Sequence, residues 1–158
     1  MLFKQTSVLI LCSAFLFGCD DGGTEAENGN LNSFTLIHAG NNPEVDNSRL
    51  ETITSQQALS EALQADDNFS ADVPNIDFAK TTVVAVYAGE KSTGGYSITV
   101  SNVQEYASVV MVDVTTTSPG AGCSNTQSIT YPYAVVSFKN TGKPVQFSQH
   151  INVQSCAD

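Results

Sequence analysis

The run Val83-Val84-Ala85-Val86-Tyr87-Ala88 constrains this chain more than any other feature. It is apolar at every position and rich in β-branching, as a central strand covered on both faces is. The segments that follow alternate instead. Tyr96, Ile98 and Val100 are interleaved with Ser97, Thr99 and Ser101, the period-two pattern of a strand with one wet face. Further strands are predicted over Val109 to Thr116 and Ile129 to Phe138. A fifth sets Val145, Phe147, Ile151 and Val153 against Gln146, Ser148, His150 and Asn152. Strands this closely spaced, joined by turn chemistry, predict a mostly β (α+β) fold, an antiparallel β-sandwich or open barrel.

One helix is expected to pack on it, over about residues 55–65. Thr54 with Gln57 three residues on matches a capping box, and Ala58, Leu59, Ala62 and Leu63 share one helical face. The acidic, turn-prone Asp66-Asp67-Asn68 should end it. Upstream, the short apolar run Phe34 to Ile37 leads into His38-Ala39-Gly40-Asn41-Asn42-Pro43, which reads as a strand end followed by a loop.

The N-terminus has a different character. Lys4 precedes an apolar run from Val8 to Phe17, too short to span a bilayer, which takes about twenty residues. Its length is that of a signal-peptide core. The run closes on Leu16-Phe17-Gly18-Cys19, which resembles the lipobox of bacterial lipoproteins, with Phe17 less usual at its place. That resemblance implies cleavage before Cys19, acylation of its thiol and amine, and a stable membrane anchor. The alternative is an ordinary secreted protein in which Cys19 is incidental. Asp20 at the next position resembles the inner-membrane retention signal of some Gram-negative lipoproteins. The expected organisation is a signal peptide over 1–18, a flexible acylated tether over 19–32, and one β-rich domain over 33–158. The tether, rich in Asp, Gly, Glu and Asn, has too little apolar surface to offset the entropy of ordering. The expected location is the cell envelope, on the periplasmic or outer side of a membrane.

That location bears on the cysteines. Cys12 lies in the segment to be removed and Cys19 is taken by lipid, which leaves Cys123 and Cys156. An oxidising compartment and an even remainder predict a disulfide between them, worth roughly 3–4 kcal/mol by restriction of the unfolded chain. Two free thiols are the alternative. A metal site is disfavoured because no Cys or His partner stands at ligand spacing.

Charge excludes some partners. The net charge is -10, and once Lys4 is removed the remaining cations Arg49, Lys80, Lys91, Lys139 and Lys143 are scattered. Nucleic acid needs clustered Lys and Arg, and anionic headgroups repel such a chain, so membrane contact should be through the lipid anchor alone. No catalytic set is recognisable. The histidines are His38 and His150, read as solvated surface residues, and neither a Gly-x-Ser-x-Gly elbow nor a His-Glu-x-x-His helix occurs. Asp113 reads as an outward position in an alternating strand. No catalytic residue, metal or cofactor is expected, which leaves a binding module.

Two loops are candidates for binding. In the first, a buried strand runs into Gly89-Glu90-Lys91-Ser92-Thr93-Gly94-Gly95-Tyr96, where adjacent glycines suit either a tight hairpin or a close backbone approach. The second is Ser118-Pro119-Gly120-Ala121-Gly122-Cys123. Beyond it, Tyr131-Pro132-Tyr133 heads the next strand, with tyrosines suited either to contact or to the core. The candidate contact residues are Thr93, Gly94, Gly95, Tyr96, Pro119, Gly120, Gly122, Pro132 and Tyr133.

These same residues carry a resemblance. Asp77-Phe78 leading into the valine strand, then Gly89-Glu90, Thr93-Gly94-Gly95-Tyr96-Ser97-Ile98, Pro119-Gly120-Ala121-Gly122, and Pro132-Tyr133 before a second valine strand, resemble the PrcB C-terminal domain family over roughly residues 53–153. Members carry Lys-Pro before the Thr-Gly-Gly-Tyr and a histidine after the Pro-Tyr; Ser92 and Ala134 stand there in this chain. The resemblance implies a lipoprotein-associated accessory subunit of a bacterial surface serine protease, with an envelope protein as partner. The Gly94-Gly95-Tyr96 loop is also similar to a loop of chagasin-type cysteine-protease inhibitors, which implies direct protease inhibition as the alternative.

Overall fold

The computed structural model describes residues 29–42 and 44–156. The expected signal peptide, Cys19 and most of the expected tether lie outside the described residues. In chain order the elements are β1 (Asn30–Leu31), β2 (Phe34–Asn41), β3 (Arg49–Ile53), α1 (Gln56–Gln64), β4 (Thr81–Tyr87), β5 (Ser97–Glu105), β6 (Val110–Pro119), β7 (Pro132–Lys139) and β8 (Val145–Gln154). The strands form two four-stranded sheets. The front sheet runs β1-β5-β6-β8 and the back sheet β2-β7-β4-β3. Among the described residues the fold is therefore the expected mostly β sandwich with one helix, and no barrel closes.

The alternation within β4 shows why its sequence is apolar throughout. Val84 and Val86 enter a core between the sheets with Val100, Val112, Val114 and Val136. Val83, Ala85 and Tyr87 point the other way, into a second core with Leu59 and Leu63 of α1, Tyr133 and Val135. Each face of the strand thus has its own layer to fill. Leu59 and Leu63 are wholly buried there, and each contributes about 2 kcal/mol by removal from water.

Four features differ from the sequence reading. First, Asn30 and Leu31, expected in the tether, pair with Glu105 and Gln104 as a short edge strand. Second, β3 was not anticipated, because five residues carrying Arg49 and Glu51 show no clear period; the strand forms because Leu50 and Ile53 each find a core. Third, the helix cap is Ser55, whose Oγ accepts from Ala58 N at 3.2 Å, while Gln57 turns along the helix to donate to Glu61 at 2.8 Å. The capping box expected at Thr54 is not used. Fourth, β6 and β8 pair in parallel, from Val110 opposite Val145 to Pro119 opposite Gln154. The strand between them, β7, belongs to the back sheet, so the chain returns to the front sheet running the same way it left.

Candidate functional site

The strand registers bring three connections to one end of the sandwich. Asn41 pairs with Pro132, Tyr87 with Tyr133, Arg49 with Tyr87, and Ser97 with Thr117. The segments 42–48, 88–96 and 120–131 therefore share that end. Because β4 is in the back sheet and β5 in the front, residues 88–96 are a crossover between sheets and not a hairpin.

This crossover is fastened to the 120–131 segment along most of its length. Lys91 and Thr130 exchange backbone hydrogen bonds of 2.8 and 2.9 Å, Gly94 N donates to Thr126 O at 2.9 Å, and Thr130 Oγ1 donates to Thr93 O at 3.0 Å. The glycines follow from this closeness. A side chain at Gly94 would meet Thr126, and one at Gly95, whose φ is 87°, would meet Asn125 and Pro119. The second segment is held in turn: Gly120 N donates to Gln154 O at 2.9 Å, and Cys123 and Cys156 form the expected disulfide. The first connection joins too, through Asn42 N to Tyr131 O at 2.9 Å and Glu90 N to Asp46 O at 2.8 Å.

The sequence candidates now separate. Gly95 and Gly122 are exposed and Thr93, Tyr96, Pro119 and Gly120 half-buried, whereas Gly94 and Pro132 are buried. Tyr133 is 1% exposed, its ring stacked 5.8 Å from that of Tyr87, so it is a core residue and not a surface contact. Its neighbour Tyr131 is half-buried, with its hydroxyl donating to Glu90 at 3.2 Å. Lys91 Nζ lies 5.9 Å from the ring centre of Tyr96. A groove of about 400 Å³ opens here between the sheets, walled by Gly40 and Asn41 on one side and Gly95, Tyr96 and Ser97 on the other. A second, of about 450 Å³, lies at the opposite end, between Ile53, Thr81 and Val145.

The strands and loops of this platform are a recognisable unit. Residues 82–139 match the PrcB C-terminal family model. The resemblance read from the sequence is thus supported over a narrower span. The PrcB C-terminal match covers β4, β5, β6 and β7, which are the two central strands of each sheet, and both of the fastened segments. No curated protein and no solved structure matches the chain. The PrcB C-terminal match excludes α1, β8 and Cys156, so the disulfide joins it to a strand beyond it.

Outside that span lies a pair which the sequence reading missed. His38 is inside β2 and not a solvated strand end: its Nε2 is 2.9 Å from Asp66 Oδ2, with side-chain exposures of 20% and 1%. The ionised carboxylate can only accept, so Nε2 carries the hydrogen. Asp66 also accepts from the amides of Asn41 at 3.1 Å and Asn68 at 2.9 Å. Burial pushes its carboxyl up, but the hydrogen bonds from His38, Asn68 and Asn41 together outweigh this and hold it below the usual value. A histidine set 28 residues from an aspartate gives no sequence signal. A β-bulge at Ile37 turns His38 to the helix side, where it packs on Phe69 and Tyr133. The pair ties β2 to the segment after α1. His150 does lie on the outer face as expected, 3.8 Å from the outward Asp113.

Proposed function

We propose that this chain is a lipid-anchored, non-catalytic accessory module of the bacterial envelope, which contacts an envelope protein, a protease or its complex, through the end of the sandwich built by residues 88–96 and 118–131. One observation carries the reading. Two connections from different sheets are hydrogen-bonded to each other and pinned by a disulfide, so Tyr96 and Tyr131 are held on a rigid base. Aromatic rings held this way offer contact area at little entropic cost. The PrcB C-terminal match spans this base and supports the association with a protease complex. Neither histidine has the arrangement of an acyl-transfer site: His38 is held by Asp66, and His150 meets both Ser148 Oγ at 3.2 Å and Asp113 at 3.8 Å through the same nitrogen, Nε2, where such a site divides nucleophile and acid between the two ring nitrogens. The sequence before the sandwich supports export and acylation at Cys19.

Photo-cross-linking in cells, with the reactive group at the exposed position 92 of the same segment, tests the proposal. A single captured protein is expected, with capture lost in the Tyr96→Ala, Tyr131→Ala double variant while circular dichroism is unchanged. A diffuse ladder of products would leave the domain as a spacer. Mass spectrometry of the N-terminus tests the anchor separately, since an uncut chain without acyl groups would remove it. Direct inhibition is distinguished by titration against serine and cysteine proteases, where a stoichiometric end point at micromolar protein would favour the chagasin-like reading.

A further inference from the structure

A sheet edge exposes unpaired N–H and C=O groups, and proteins protect such edges with short strands, charges, prolines or bulges. This sandwich has four edges, and three carry such a device. β1 has two residues, β2 has the bulge at Ile37, and β3 is five residues long with Arg49 and Glu51 paired at 3.0 Å. The fourth, β8, has none. It runs for ten residues without a charge or proline, and its register against β6 never shifts. It also exposes Ile151 by 82% and Val153 by 62%.

Its free side has a definite pattern. Gln154 turns its carbonyl to Gly120, beyond the end of β6, at 2.9 Å. In a strand, successive residues direct their N–H and C=O to opposite sides, so the even residues of β8 bond to β6 and the odd ones face outward. The side chains of these odd residues lie on the core side of the sheet, where Val145 and Phe147 pack on the inter-sheet core. In order they read Val145, Phe147, Gln149, Ile151, Val153, a pattern symmetric about its centre.

We propose that β8 is a self-association edge, which pairs antiparallel with β8 of a second copy about a two-fold axis at Gln149. This register sets Gln149 opposite itself, Ile151 beside Phe147 of the second copy, and Val153 beside Val145. Every outward N–H and C=O from 145 to 153 then has a partner, and the two exposed aliphatic side chains gain apolar neighbours. The opposite face sets Ser148 beside His150, with no like charges in contact. In a chain of net charge -10, an uncharged edge is where two copies approach at least electrostatic cost. The acidic segment Asp20 to Asn28 of the same chain lacks the apolar alternation needed to occupy this edge. A two-fold contact of this kind is self-complementary and closed, so it gives a dimer and not a fibre.

Hydrogen exchange and sedimentation of the full-length chain in mild detergent test this, at low and high protein concentration. The expected result is a dimer at high concentration, with the amides of 147, 149, 151 and 153 slowed about tenfold or more while the even amides stay protected throughout. Gln149→Pro removes only an outward N–H, so it should give a monomer with the even amides still protected. If that variant loses its even-residue protection, Ile151→Lys serves in its place and should also be monomeric. A chain that is monomeric at every concentration, odd amides equally fast at both concentrations, or a dimer that survives the substitution would each overturn the proposal. A foreign strand as the true occupant would give the first of these results.

Discussion

Asp66 shows how one buried side chain can organise a neighbourhood that has no local sequence signature. Its carboxylate binds His38 and the amides of Asn41 and Asn68, and a side chain at Gly40 would collide with it. Removing the charge while keeping the shape, as in Asp66→Asn, should cost about 2–4 kcal/mol by chemical denaturation, since the donors around it would be left poorly paired. The effect depends on pH in a defined direction. The folded carboxyl lies below its ordinary value near 3.8, so its stabilisation is complete above that value and is lost as pH falls through the lower folded value. The stability gap between wild type and Asp66→Asn should therefore hold at neutral pH and close in strong acid; a gap unchanged in acid would contradict this account. Gly95 is a second such residue. With φ at 87° and Asn125 against it, Gly95→Ala should lose about 1–3 kcal/mol, read as a lower melting temperature.

At the scale of elements, the helix tests how closely local signals set a boundary. Thr54 and Ser55 are both good caps, and the apolar face is compatible with either. Ser55 is the extended cap residue, and its side chain accepts from Ala58 N. Ser55→Ala should thus cost about 1 kcal/mol while Thr54→Ala leaves stability unchanged, and equal losses would show that the boundary is shared. Strand direction is less legible still. The alternation of β8 was visible in the sequence, but a period of two is the same for parallel and antiparallel neighbours. Its parallel pairing with β6 follows from the placement of β7 in the back sheet, a decision made by the whole sandwich.

At the scale of the molecule, the disulfide spans 33 residues and fastens the end of β8 to the loop after β6. Replacing both cysteines with serine should lower stability by roughly 3–4 kcal/mol and accelerate amide exchange first at residues 150–154. Uniform acceleration across the sheets would instead mean that the bond acts only on the unfolded chain. The matched segment 82–139 forms the centre of both sheets, with edges, helix and the His38–Asp66 pair added around it. The sequence by itself determined the strands β2 and β4 to β8, though not β1 or β3, that β4 is covered twice, that one helix packs on the sandwich, and that Cys123 pairs with Cys156. These are properties of period and composition, which act over a few residues. Only the tertiary structure decided that the Gly94-Gly95 segment is a crossover packed on another loop, that Tyr133 is core while Tyr131 is not, and that His38 meets Asp66. Each of these depends on distant segments being brought together, and the free energy that selects them comes from contacts absent until the layers close.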